Sequence, residues 1–206
     1  MIVNADYRSL IEAGCATERL TILALAGVIS VAPTRPAPYD VPIAGLARQS
    51  FADMMASVFP GFTADGLVAA MPLTQSTLNG RADEFEDLLD LLLEHCTWRT
   101  DECFWVAHAL ATASMGGNHL WQDMGLPDRV ALSELIECNF TSLFVRNVGD
   151  MKWKKFFYRE LCKRAEVMIC KSPSCGVCVD YKVCFGKEEG LAPVSLEDVW
   201  SAANVA

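Results

Sequence analysis

The chain has 206 residues, of which 52% are apolar and 21% charged, and its net charge is −9. That length suffices for a real core in one domain, or one domain with extensions, and the apolar share excludes a disordered chain. The acidic balance excludes a general nucleic-acid binder, because neutralising phosphates takes a basic surface.

The first 30 residues read as helix, with Leu10, Ile11, Leu20, Leu23, Leu25 and Val28 and few breakers. The uncharged run from Leu20 to Ala32 is shorter than the roughly 18 residues that span a bilayer. Glu12, Glu18 and Arg19 before it and Pro33, Arg35 and Pro36 after it do not suit a signal peptide, so it is read as a buried core helix. From Val31 to Pro42 four prolines forbid regular helix and favour an extended connector. The helix before it is thereby free to pack loosely or against a second chain. Residues 45–72 read as two short helices broken at Pro60-Gly61.

The pattern then sharpens. Phe85, Leu88, Leu89, Leu92, Leu93 and Cys96 recur at helical spacing, opposite Asp83, Glu86, Asp87, Asp90 and Glu94. A further helix is expected over Thr100 to Met115, stopping at Gly116-Gly117. Another runs from about Asp128 to Val145, with Leu132, Leu135, Ile136, Phe140, Leu143 and Phe144 on one stripe. The last long one covers about Asp150 to Ile169, with Trp153, Phe157, Leu161, Ala165 and Met168 inward. No alternating strand pattern and no internal repeat is found. The fold class read from this is all-α: a helical bundle feeding a C-terminal cysteine-rich metal-binding loop. The divisions are residues 1–42 (N-terminal helix and connector), 43–169 (bundle), 170–186 (cysteine loop) and 187–206 (acidic tail, with a short helix at about Leu196 to Ala203).

Nine cysteines, an odd number without a secretory signal, point to a reducing cytoplasm and to metal ligation rather than a disulfide scaffold. Four of them form the segment Cys170-x4-Cys175-x2-Cys178-x5-Cys184. Thiolates this dense converge around something small, and Pro173 and Gly176 permit the winding. Soft thiolates select zinc, copper(I) or an iron–sulfur cluster. Structural zinc prefers two separated ligand pairs, whereas the C-x4-C-x2-C triplet matches the start of a plant-type ferredoxin pattern. Iron–sulfur is therefore favoured, with zinc and disulfides kept open.

Around this loop the charge reverses. From Arg146 to Lys171 there are eight basic residues against three acids. Lys152, Lys155, Arg159 and Lys163 share one helix face. The face is either a plain solvated surface or an attractant for an anion or an acidic partner. Upstream, His119 follows a helix end beside Asn118, Trp121 and Asp123. It is a candidate ligand whose second nitrogen Asp123 would orient, weighed against an ordinary structural histidine. His95 and His108 sit inside helical stretches. Cys103, Cys138 and Cys162 are read as small apolar core residues.

Three segments together resemble the NifQ family, which acts in maturation of the nitrogenase iron–molybdenum cofactor. They are His119-Leu-Trp-Gln-Asp-Met-Gly-Leu126, Met151-Lys-Trp-Lys-Lys-Phe-Phe-Tyr-Arg159 followed by Leu161-Cys162, and the cysteine loop ending Cys184-Phe-Gly186. The resemblance covers about residues 80–186. It implies an iron–sulfur cluster, of three-iron or four-iron type, that also takes up molybdenum. It also implies donation of that molybdenum to the cofactor assembly proteins, a scaffold and the iron protein. Cys170, Cys175, Cys178 and Cys184 would be the ligands, with His119 and Cys162 as further candidates. The implied protein is a cytoplasmic carrier without catalytic activity, fed by molybdate or another molybdenum source, and it needs no nucleic acid or membrane. A zinc-stabilised interaction module and an iron–sulfur electron carrier are the competing readings.

Overall fold

The computed structural model describes residues 6–15, 18–74, 82–167, 175, 178–179 and 181–190. Every regular element among the described residues is helical.

α1 (Tyr7–Glu12) begins where the Asp6 carboxylate accepts the Ser9 N–H, 3.0 Å away. α2 (Arg19–Ser30) has no polar stripe, and Leu23 through Ile29 are all buried. A helix apolar all round belongs inside a protein, and α2 indeed packs on α1, on α8 and above all on α6. The expectation that the N-terminal helix packs loosely is thus corrected, while its reading as a core helix holds.

The proline-rich connector is built around one buried cation. After a 3-10 turn at Ala32–Thr34, the Arg35 guanidinium donates to Val28 O (2.8 Å), Tyr39 O (2.8 Å), Val41 O (2.7 Å) and Pro42 O (3.1 Å). Prolines cannot donate, so the loop's carbonyls need an outside donor, and Arg35 supplies it. α3 (Arg48–Val58) and α4 (Asp65–Ala70) flank the expected break at Pro60-Gly61. Arg48 closes the end of α4 through Met71 O at 2.8 Å.

α5 (Ala82–Glu94) turns Phe85, Leu88, Leu89, Leu91 and Leu92 inward. α6 (Asp101–Ser114) is buried over most of its length and packs on α2, α3 and α5. α7 (Leu120–Asp123) is a single turn behind α6. Where one helix is expected over 128–145, there are two, α8 (Arg129–Asn139) and α9 (Thr141–Phe144), separated by Phe140 at φ −137° and ψ 51°.

α10 (Trp153–Arg164) packs on α5 and buries Trp153, Phe156 and Phe157. It ends sooner than expected: Glu166 has φ 54°, so Ala165 is exposed rather than inward. Met168 lies outside the described residues. α11 (Tyr181–Phe185) falls within the cysteine segment and has no forerunner in the sequence pattern. The expected helix at 196–203 lies outside the described residues. No described helix is long and apolar enough to cross a membrane.

Candidate metal centre

The cysteine segment is bounded by two placed elements. Before it, α10 is held by its aromatic face, where Trp153 stacks near Phe144 and Phe157 and donates through Nε1 to Ser133 Oγ at 3.0 Å. After it, α11 sits on the loop joining α9 to α10. The Lys152 N–H donates to Cys184 O at 2.8 Å, and the Phe185 ring covers Gly149. Tyr181 and Phe185 stack with ring centroids 4.5 Å apart.

That supporting loop is itself braced. Asn147 exchanges hydrogen bonds with the Met151 backbone at 2.8 and 2.9 Å. Arg129, from the first turn of α8, reaches Asp150 Oδ1 (2.8 Å) and Met151 O (2.9 Å). Asp150 takes φ 52°, a left-handed conformation that aspartate tolerates in tight turns.

Within the segment, the Cys178 N–H donates to Cys175 O at 3.2 Å, so these two ligand candidates share one turn. Cys175, Cys178 and Cys184 are half-buried, and none of them is in a disulfide among the described residues. Cys170 lies outside the described residues. Among the described residues, no three His, Cys, Asp or Glu side chains converge into a metal-holding group. Cys162 is half-buried on α10.

His119 sits at the N-terminus of α7, with its N–H donating to Gln122 Oε1 at 3.2 Å. Its side chain is 32% exposed, and Nδ1 lies 3.7 Å from Glu188 Oε1. Asp123 is not its orienting group, contrary to expectation. The Asp123 Oδ1 accepts from Asn118 Nδ2 at 2.9 Å, and Oδ2 accepts from the Asn118 N–H at 3.1 Å and from Lys154 Nζ at 2.6 Å. Both oxygens are therefore committed elsewhere. Lys154 also donates to Gly116 O at 2.8 Å, so α10 is tied to the end of α6 and to α7 at once. Burial holds the Lys154 ammonium below its ordinary pKa, and the Asp123 hydrogen bond opposes that shift.

Three residues of this corner escaped the sequence reading. Lys154 lies off the basic face, and nothing in the helical period marks it as buried. Arg129 and Glu188 are single charges in unremarkable contexts. Glu188 follows α11 into the acidic tail, yet its side chain is only 6% exposed, with the carboxylate 3.8 Å from Arg129 Nη1. On the outer side of α10, Lys155, Arg159 and Lys163 are exposed, whereas Lys152 is half-buried where the helix begins. Lys163 pairs with the buried Glu160, which also lies 3.6 Å from Arg146. Among the described residues Lys155 and Arg159 enter no ion pair.

The chain is similar in sequence to known proteins over much of its length. Protein NifQ of Azotobacter vinelandii is 40% identical over 151 residues, covering 70% of this chain and 77% of that protein. Protein NifQ of Klebsiella pneumoniae is 37% identical over 123 residues, 59% of this chain and 72% of its own length. A NifQ homolog of Sinorhizobium fredii is 33% identical over 146 residues, 71% of this chain but 62% of that longer protein. No solved structure matches the chain. The NifQ family's sequence model matches residues 24–186, from within α2 to the residue after α11, and the chain accordingly belongs to the NifQ family of nitrogen fixation.

Proposed function

We propose that this chain carries an iron–sulfur cluster on Cys170, Cys175, Cys178 and Cys184 and donates molybdenum held there to the nitrogenase cofactor assembly proteins. The observation that carries the reading is the C-x4-C-x2-C-x5-C spacing, whose middle pair lies on one turn. The donor set fits: soft thiolates select iron–sulfur chemistry, and the three described members are half-buried, reachable by solvent and by a partner. A cluster of three irons needs three thiolates and offers a sulfide face to a further metal, so the fourth cysteine, or His119, is left to hold or release it.

The chain's own residues divide the work. The α11 anchor fixes the Cys184 end, and the described thiols of Cys175, Cys178 and Cys184 are half-buried rather than enclosed. That suits cargo that must leave. Lys155 and Arg159 present positive charge that draws molybdate or an acidic partner toward the loop. The role is carriage and transfer in the cytoplasm, not catalysis.

The test is metal and sulfide analysis of anaerobically purified protein, with electron paramagnetic resonance. A brown protein with iron and sulfide in comparable amounts and bound molybdenum is expected. Cys175→Ala and Cys178→Ala are expected to lose iron while keeping their helix content. A colourless zinc-loaded protein would overturn the reading in favour of a structural staple. Iron without molybdenum, after growth with ample molybdate, would overturn it in favour of an electron carrier.

A further inference from the structure

The tail just beyond α11 brings a carboxylate in among donors without bonding it to them. The Glu188 side chain is only 6% exposed, and its Oε1 faces Arg129 Nη1 at 3.8 Å and His119 Nδ1 at 3.7 Å. Neither distance is a hydrogen bond. Taking a carboxylate out of water without such bonds is costly. The next residue, Glu189, stays exposed.

The place that Glu188 fills is set by elements other than the tail. Arg129 is held through Nη2 by Asp150 Oδ1 at 2.8 Å and Met151 O at 2.9 Å, which fixes the guanidinium and leaves Nη1 toward Glu188. Arg129 Nε is buried and has no partner among the described residues. His119 comes from the start of α7, where its N–H is tied to Gln122 Oε1 at 3.2 Å. Lys154 is not part of the set, because its ammonium is committed to Asp123 Oδ2 at 2.6 Å and Gly116 O at 2.8 Å. The tail lies against α7 as far as Gly190, where a Cβ would stand 2.2 Å from Gln122 Nε2. The segment that carries Glu188 thus covers the turn that carries His119.

We propose that Arg129 and His119 form a binding site for a tetrahedral oxyanion, and that the Glu188 carboxylate is its built-in occupant, displaced when the oxyanion binds. A tetrahedral dianion carries acceptors on every side and more charge than a carboxylate, and no backbone tethers it. It closes to hydrogen-bond distance on Arg129 Nη1 and the His119 imidazole together, which Glu188 does not. A guanidinium is the side chain best suited to such an anion. Glu188 then returns to water and regains its hydration. No covalent bond changes in this exchange. That the natural occupant is molybdate rests on the molybdenum-carrier reading above, whereas oxyanion binding itself does not.

The test is isothermal titration calorimetry of the full chain at low ionic strength, with sodium sulfate and sodium molybdate as the probes. Sulfate does not react with thiols, so its heat reports this corner and not the cysteine loop. Both anions are expected to bind at a single site per chain. Glu188→Gln is expected to bind them about tenfold more tightly, because the competing charge is gone. Arg129→Gln is expected to lose the binding. Circular dichroism checks that each variant is folded. If Arg129→Gln is not, His119→Ala takes its place and is expected to weaken the binding severalfold. The proposal is overturned if neither the parent nor Glu188→Gln binds either anion, or if Glu188→Gln binds no more tightly than the parent. It is equally overturned if molybdate binds without sulfate and Arg129→Gln binds it as the parent does, since the cysteines would then be the site. Failure of the carrier reading shows separately: zinc in place of iron would sink that reading and leave the sulfate titrations unchanged.

Discussion

Replacing Asp123 by Ala removes the acceptor that joins α7 to α10. Lys154 Nζ keeps Gly116 O but loses its counter-charge, and the Asn118 N–H and Nδ2 lose their shared partner. Removing one member of a buried ion pair costs about 3–5 kcal/mol. The Lys154 side chain is 25% exposed against 7% for Asp123, so water relieves part of the loss and about 3 kcal/mol is the sensible figure. At about 2–4 °C per kcal/mol for a chain of this size, the melting temperature should fall by about 6–12 °C. Asp123→Asn should do little better, because an amide that accepts from Asn118 turns its own donors toward Lys154. Thermal melts by circular dichroism on Asp123→Ala, Lys154→Met and the double variant give the coupling, expected near 2 kcal/mol. A melting temperature within about 1 °C of the parent, or a coupling below about 0.5 kcal/mol, would show that this contact does not hold the corner together.

Three further outcomes are expected. His108 is fully buried and touches Ala44 O through Nδ1 at 3.2 Å, and burial lowers its pKa to about 4. Between the unfolded value of 6.5 and about 4, the unfolded chain takes a proton that the folded chain refuses, so stability falls as the pH falls. The loss approaches about 3 kcal/mol at the bottom of that window and is absent above it. Denaturant titrations at pH 7 and pH 4 should show a smaller acid loss in His108→Gln than in the parent, and equal losses would refute the assignment. Arg35→Lys should destabilise the chain by roughly 2–3 kcal/mol, since one ammonium cannot serve carbonyls on both Val28 and the 39–42 turn. Gly27→Ala should cost about 3 kcal/mol, because its Cβ would stand 2.1 Å from Met124 O, on backbone that cannot swing aside. Gly117→Ala, with nothing within 4 Å, should stay within about 0.5 kcal/mol of the parent in the same melts.

What the sequence made legible is what local patterning controls. α5 declares itself through apolar residues at helical spacing, and α6 through its end at Gly116-Gly117. The failures have tertiary causes. Asn139-Phe140-Thr141 contains no breaker, yet the helix stops there. In a continuous helix Asn139 O would accept from Leu143, but the Thr97 N–H and the Cys103 thiol face it instead, and Leu143 turns to Phe140 O. The connector's four prolines announced an extended segment but not the arginine that satisfies it. α11 is invisible because five residues carry too little periodicity, and its place is set by the Lys152 amide and by Gly149 beneath Phe185. Of the candidate ligands, the turn joining Cys175 and Cys178 is placed, while the position of Cys170 belongs to residues outside those described.

The segment around His119 and the end of the cysteine loop are far apart in sequence, and Glu188 brings them into one corner of the fold. α11 is set on the 147–152 loop, and Arg129 braces that loop from below. Beyond α11, Glu188 brings its carboxylate back between Arg129 and His119, at 3.8 and 3.7 Å. The 3.7 Å gap is longer than a hydrogen bond, so Glu188 does not fix the imidazole. The Asp123–Lys154 pair meanwhile keeps the floor of the corner still. The corner thus sets a loosely held histidine over a firmly tied floor, beside the helix that closes the cysteine segment.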